Sequence, residues 1–148
     1  MNEKIENFHQ SKNETEIRLE RLNNALGIVE ERLSPEEMKK VKAIILYGST
    51  ARGEAKETSD LDLHIDIEPY DCEVFNKIVK ILQTQFTDLD FSFSSKNIIK
   101  SGRMVKLLTA QKNPGKPAMW KFIYCRSEKE KIDLDRILFE EQKQRGLR

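Results

Sequence analysis

Between residues 14 and 33, Leu19, Leu22, Leu26, Val29 and Leu33 recur at spacings of three and four, which predicts an amphipathic helix with one apolar stripe. The stripe is too short for a sustained coiled coil, so it reads first as the face a helix lays on the core. Its second use is as a docking or homodimer face. Ser34-Pro35-Glu36-Glu37 ends that helix and starts another, with Ser34 as N-cap, Pro35 in the first helical position and Glu37 completing a capping box. Ala43-Ile44-Ile45-Leu46-Tyr47 is a nearly unbroken apolar run, the mark of a buried central strand. A turn-rich segment, 48–59, follows. Leu61, Leu63, Ile65 and Ile67 then alternate with Asp60, Asp62, His64 and Asp66, predicting a half-buried strand with one strongly polar face.

Glu68-Pro69-Tyr70-Asp71 breaks that strand, and Phe75, Ile78, Val79, Leu82 and Phe86 predict a helix over 72–86. Leu89, Phe91 and Phe93 alternate with Asp88, Asp90, Ser92 and Ser94, giving a third strand. Residues 97–111 read as helix and 113–117 as a loop. Met119–Cys125 reads as a last strand with Trp120, Phe122 and Tyr124 on one face, where core packing is the first reading and base stacking the second. Ser127-x-x-Glu130 is a second capping box, opening a helix that runs to residue 144. The order predicts an α/β (α+β) fold, a small mixed sheet with helices packed on it. We read one domain, 1–148, with an N-terminal helical segment (1–41), a core that carries the chemistry (42–95) and a C-terminal strand and helix (96–148).

Composition narrows the class. A chain of 148 residues buries about 70% of its unfolded surface, and 38% hydrophobic with 34% charged residues is too apolar for disorder. No apolar run approaches the roughly 20 residues that span a bilayer, and the first residues lack a secretory pattern. The expectation is a cytoplasmic protein without a membrane partner. A net charge of +1 gives no support for nucleic acid. Cys72 and Cys125 form no CxxC or Cys/His cluster, which argues against structural zinc, and a cytoplasmic chain needs no disulfide.

The chemistry concentrates between Gly48 and Leu63. Gly48-Ser49 ends a strand where a missing side chain lets backbone N–H groups approach an anion closely. A helix beginning over 49–54 would add to that attraction. Asp60 and Asp62 share one strand face, about 7 Å apart. Two carboxylates so placed can share a hard divalent cation such as magnesium, together with substrate phosphates. Rival motifs fail on the residues themselves. Gly48-x-x-x-x-Gly53 opens like a P-loop, but Glu54-Ala55 stands where Lys-Ser/Thr is required. Asp60-x-Asp62-x-His64 opens like an EF-hand, but Ile65 takes the position of the turn glycine. The plain alternative is a solvated strand face, although four acids or histidines in alternation repel one another without a cation. Arg52 has the planar fork for phosphate or is a solvated loop arginine. Lys56 reads as an exposed loop lysine, and His64 as a solvated or supporting residue beside Asp62. Lys96, Lys100, Arg103 and Lys106 read as a wet helix face.

Tyr47-Gly48-Ser49-Thr50-Ala51-Arg52-Gly53-Glu54-Ala55 ahead of Ser59-Asp60-Leu61-Asp62-Leu63 resembles the signature of the polymerase-beta-type nucleotidyltransferase superfamily. Its minimal members, stand-alone domains that act as antitoxins beside a helical ribonuclease-type toxin, are the most similar. The direct match lies near residues 44–67. The resemblance implies the nucleotidyltransferase fold and two magnesium ions held by Asp60 and Asp62. It implies Gly48 and Ser49 on the β and γ phosphates, and a third carboxylate on the strand after the intervening helix. Asp90 fits that description, with Asp88 as the fallback. It further implies transfer of a nucleoside monophosphate from a triphosphate, ATP first, to an acceptor hydroxyl. A toxin side chain suits so short a chain best as acceptor. The competing expectation is a non-catalytic module that masks its partner.

Overall fold

Asn13 opens the first helix, α1 (Glu14–Arg32), by accepting a hydrogen bond from the Glu16 N–H at 2.8 Å. In the computed structural model, residues 13–54, 56, 60–88, 90–94 and 119–144 are described. The expected helix over 97–111, the loop 113–117, Leu89, Ser59 and the basic run from Lys96 lie outside them. A short α2 (Pro35–Lys40) follows, and its capping box is formed in both directions. Glu37 N–H donates to Ser34 Oγ at 3.1 Å, and Ser34 N–H to Glu37 Oε1 at 2.9 Å.

Four strands then make one sheet in the order β3-β2-β1-β4. They are β1 (Val41–Tyr47), β2 (Leu61–Ile67), β3 (Phe91–Ser94) and β4 (Lys121–Cys125). β1 is antiparallel to both neighbours, whereas β2 and β3 run parallel, so the sheet is mixed as expected. The crossover between the parallel strands is α4 (Cys72–Gln85), and a single-turn α3 (Gly48–Ala51) separates β1 from β2. α5 (Glu128–Gln144) closes the described chain. Among the described residues no helix is long and apolar enough to cross a membrane.

Two layers cover the sheet. On one face Ile44, Leu46, Leu61, Leu63, Ile65 and Ile67 pack with α1 (Leu22, Ala25, Val29) and α4 (Val74, Ile78, Leu82). The leucine stripe thus packs into the protein's own core, as its first reading expected. On the other face Ala43, Ile45 and Tyr47 pack with Leu134 and Leu138 of α5.

That second layer overturns two expectations. His64 and Asp66 are 0% exposed, so the polar side of β2 is a covered face and not a solvated one. Alternation reports which residues share a face; it cannot report whether a helix later in the chain covers it. The aromatic stripe of β4 is also broken. Ile45 pairs with Phe122 but Ile44 with Tyr124, leaving Ile123 as the extra residue of a bulge. Trp120 and Phe122 stay with the α5 layer, and Tyr124 joins the α1 layer.

Arg126 fastens the far end of β4. Its Nε and Nη2 donate to Glu130 at 2.9 and 2.5 Å, and its Nη1 to the carbonyls of Lys39 and Glu68 at 2.8 and 3.1 Å. The Arg126 hydrogen bond holds the Glu130 carboxyl below its ordinary value. Such a depressed group stabilises the fold above its unfolded pKa, about 4.3, and the stabilisation is lost as pH falls through the folded value. Glu130→Gln is expected to lower the melting temperature at pH 7, by no more than about 1 kcal/mol in stability because water screens the pair. Melting curves of the two proteins should converge below about pH 4.

Candidate active site at one end of the sheet

β1 leaves the sheet at Tyr47, and Gly48 turns the chain with φ +77°, a left-handed conformation that favours glycine. The turn is also tight in space. A Cβ on Gly48 would stand 2.0 Å from Asp62 Oδ2 and 3.0 Å from its Cγ. The Asp62 carboxylate therefore lies directly against the Gly48 backbone, since β1 and β2 bring Tyr47 opposite Asp62. The helix expected over 49–54 is a single turn, Gly48–Ala51. What the segment supplies is close backbone approach; a four-residue helix adds little macrodipole.

Asp60 is exposed and precedes β2, while Asp62 is partly buried within it. Asp90 is exposed, and its carbonyl accepts the Leu61 N–H at 2.9 Å. The parallel register, Leu61 with Phe91 and Asp62 with Ser92, sets Asp90 beside Asp60 at the same sheet end. The three aspartates thus share one end of two neighbouring strands. Among the described residues, however, no three acidic, histidine or cysteine side chains gather closely enough to cage a metal ion. The donors themselves fit magnesium, being hard carboxylate oxygens beside a glycine turn.

The remaining candidates sort by their partners. Arg52 is neither solvated nor extended, because its Nε donates to Glu54 Oε1 at 2.8 Å. Lys56 is exposed. Asp88 is engaged from the other side of the loop by Arg21, at 2.6 and 3.1 Å, and that hydrogen bond holds its carboxyl below the ordinary value. Asp88 is a structural ion-pair partner, which leaves Asp90 as the carboxylate open at the sheet end. His64, two residues beyond Asp62, is fully buried.

One residue was missed from sequence. Arg18 is 0% exposed. Its Nη1 donates to Thr50 Oγ1 at 3.1 Å and its Nη2 to the Lys56 carbonyl at 2.9 Å. One guanidinium from α1 thereby fastens α3 and the loop leading to Asp60. A signal existed. Position 18 continues the buried series 22, 25, 29 and 33 backward by four, so an arginine stood where the stripe called for an apolar residue.

A family model described as the nucleotidyltransferase domain matches residues 22–148. No curated protein matches the sequence. Among solved structures the chain is similar to a mutant of the MntA–HpeT toxin–antitoxin pair, with TM-score 0.52, 13% identity, and 84% of this chain and 90% of that one covered. It is also similar to a toxin–antitoxin structure with AMP-PNP (TM-score 0.49, 14% identity, 84% and 90% covered). A third is a tri-AMPylated HEPN toxin of Shewanella oneidensis in complex with MNT antitoxin (TM-score 0.48, 12% identity, 86% and 90% covered).

Proposed function

The chain belongs to the nucleotidyltransferase domain family and has its fold, and from that premise we propose that it transfers a nucleoside monophosphate, AMP from ATP first, to a hydroxyl of a partner protein. The observation that carries this reading is the contact of the Asp62 carboxylate with the Gly48 backbone. It sets a carboxylate where a triphosphate must pass if its β and γ phosphates rest on the Gly48 and Ser49 N–H groups. Asp60, Asp62 and Asp90 would hold two magnesium ions, which when bound neutralise the triphosphate and lower the pKa of the attacking hydroxyl. The chain's own residues position the reactants. Gly48 and Ser49 orient the phosphates, and Arg52 offers a guanidinium beside them. Arg18 keeps the turn and the loop in register. The acceptor oxygen bonds to the α-phosphorus in line with the leaving pyrophosphate, and its proton passes to solvent or to Asp90.

The acceptor we propose is a side chain of a helical toxin made beside this protein in the cytoplasm. The MntA–HpeT structure is itself a toxin–antitoxin pair, and its mutations replace two aspartates with one residue between them, the spacing of Asp60 and Asp62. One observation favours a second reading, a partner-masking module without catalysis: the three aspartates are not drawn together among the described residues. Alpha-labelled ATP, magnesium and the product of the neighbouring gene separate the two. Label should pass to the partner, and Asp60→Asn or Asp62→Asn should slow transfer at least about 100-fold, as several kcal/mol of charge stabilisation are lost. If no label moves, and the mutants neutralise the partner as well as the parent protein does, the masking module stands instead.

A further inference from the structure

β4 lies on the other side of β1 from the aspartates, and its start is level with theirs. Leu46 pairs with Lys121, and Tyr47 with Asp62, which brings Trp120 to the sheet end that holds Asp62. Trp120 and Phe122 pack with the Ile45–Tyr47 layer, the side of the sheet to which Asp62 and His64 also belong by register. Two strand spacings, about 10 Å, separate β4 from β2.

Against Trp120 opens a cavity of about 360 Å³ walled by Met119, Lys121, Lys131 and Phe139, among others. Its volume falls within the roughly 300–1,000 Å³ of small-molecule sites. Phe139 is 57% and Met119 42% exposed, so large apolar surface faces the opening. The wall is fixed in orientation. Trp120 Nε1 donates to Asp135 Oδ1 at 2.9 Å, and the Trp120 and Phe139 rings touch at a centroid distance of 4.8 Å, tilted by 59°. Lys131 Nζ stands 5.9 Å from the Phe122 ring centre. Aromatic faces bordered by two cations suit a flat heterocycle carrying negative charge.

We propose that this cleft takes the base of the donor nucleotide, stacked on Trp120 and Phe139, while its phosphates lie on the Gly48 turn. The inference rests on the nucleotidyltransferase reading above and adds to it the side of the site on which the base lies. It also assigns the cations: Lys121 and Lys131, which line the cleft beside Trp120, would face the sugar and phosphate edge.

Trp120 is the chain's one tryptophan, so tryptophan emission, excited selectively over the tyrosines, reports on this cleft. With magnesium present, ATP is expected to quench it, and inorganic tripolyphosphate to displace ATP without quenching. Phe139→Ala removes an exposed side chain. It should weaken ATP about five- to hundredfold, the range for losing one stacking partner, and leave tripolyphosphate affinity unchanged. If ATP binds and tripolyphosphate competes, but no quenching occurs and Phe139→Ala binds ATP as tightly, the base lies elsewhere. The inference then fails while the nucleotidyltransferase reading stands. If calorimetry detects neither ATP nor tripolyphosphate, that underlying reading fails and takes the inference with it.

Discussion

Gly48→Ala is expected to cut nucleotide transfer about a thousandfold, more than a methyl group added at either of the other described glycines, Gly27 and Gly53. The new Cβ meets Asp62 Oδ2 at 2.0 Å, and the strand-borne carboxylate must move. A displacement of about 1 Å at a reacting centre costs on the order of 100-fold. The left-handed φ of +77° adds about 1–3 kcal/mol of backbone strain. Gly53→Ala separates the two causes. Gly53 has φ +76°, yet nothing lies within 4 Å of its added Cβ. That variant should lose about 1–2 kcal/mol in urea denaturation and keep most of its transfer rate. If Gly48→Ala transfers AMP as fast as Gly53→Ala does, the close approach of Asp62 has no part in the chemistry.

The second large effect falls on stability. Arg18→Met keeps most of the side-chain volume and removes the guanidinium that reaches Thr50 and the Lys56 carbonyl. Each hydrogen bond from a charged donor contributes about 1.5–3 kcal/mol, so a loss of about 3–5 kcal/mol is expected in urea unfolding, allowing for partial relaxation. Arg18→Lys should recover only part of it, because one ammonium on a shorter stem cannot serve both acceptors. Thr50→Val in the Arg18→Met background should cost less than in the parent protein, the signature of a shared contact. Additive losses in that cycle would mean that Arg18 and Thr50 do not act together.

These tests mark where sequence reasoning reached and where it stopped. The Ser34–Glu37 capping box, the central strand and the helical stripes were legible because their signals are local: a serine three residues ahead of a glutamate, or apolar residues at a fixed period. The nearness of Gly48 to Asp62 was legible through family resemblance, and through the tendency of a strand, a turn and an antiparallel strand to bring their ends together. Three features were hidden. His64 and Asp66 alternate as a wet face would, yet both are fully buried, and they share the side of the sheet on which Ala43 and Ile45 meet α5, more than sixty residues later. The sequence favoured Asp90 over Asp88, but the reason Asp88 is engaged elsewhere, its ion pair with Arg21, comes from a helix more than sixty residues earlier. Arg18 was masked by its charge, since arginine is seldom fully buried.

The extra residue in β4 has a consequence for how much length change this strand tolerates. On either side of Ile123 the neighbours already face opposite layers in strict order: Phe122 toward α5, Tyr124 toward α1, Cys125 toward α5. Excising Ile123 would therefore restore a regular ladder without turning a single remaining side chain over. Two halves of one strand have been joined by a spacer, and natural variants one residue shorter at that point should still present Trp120 to the same side.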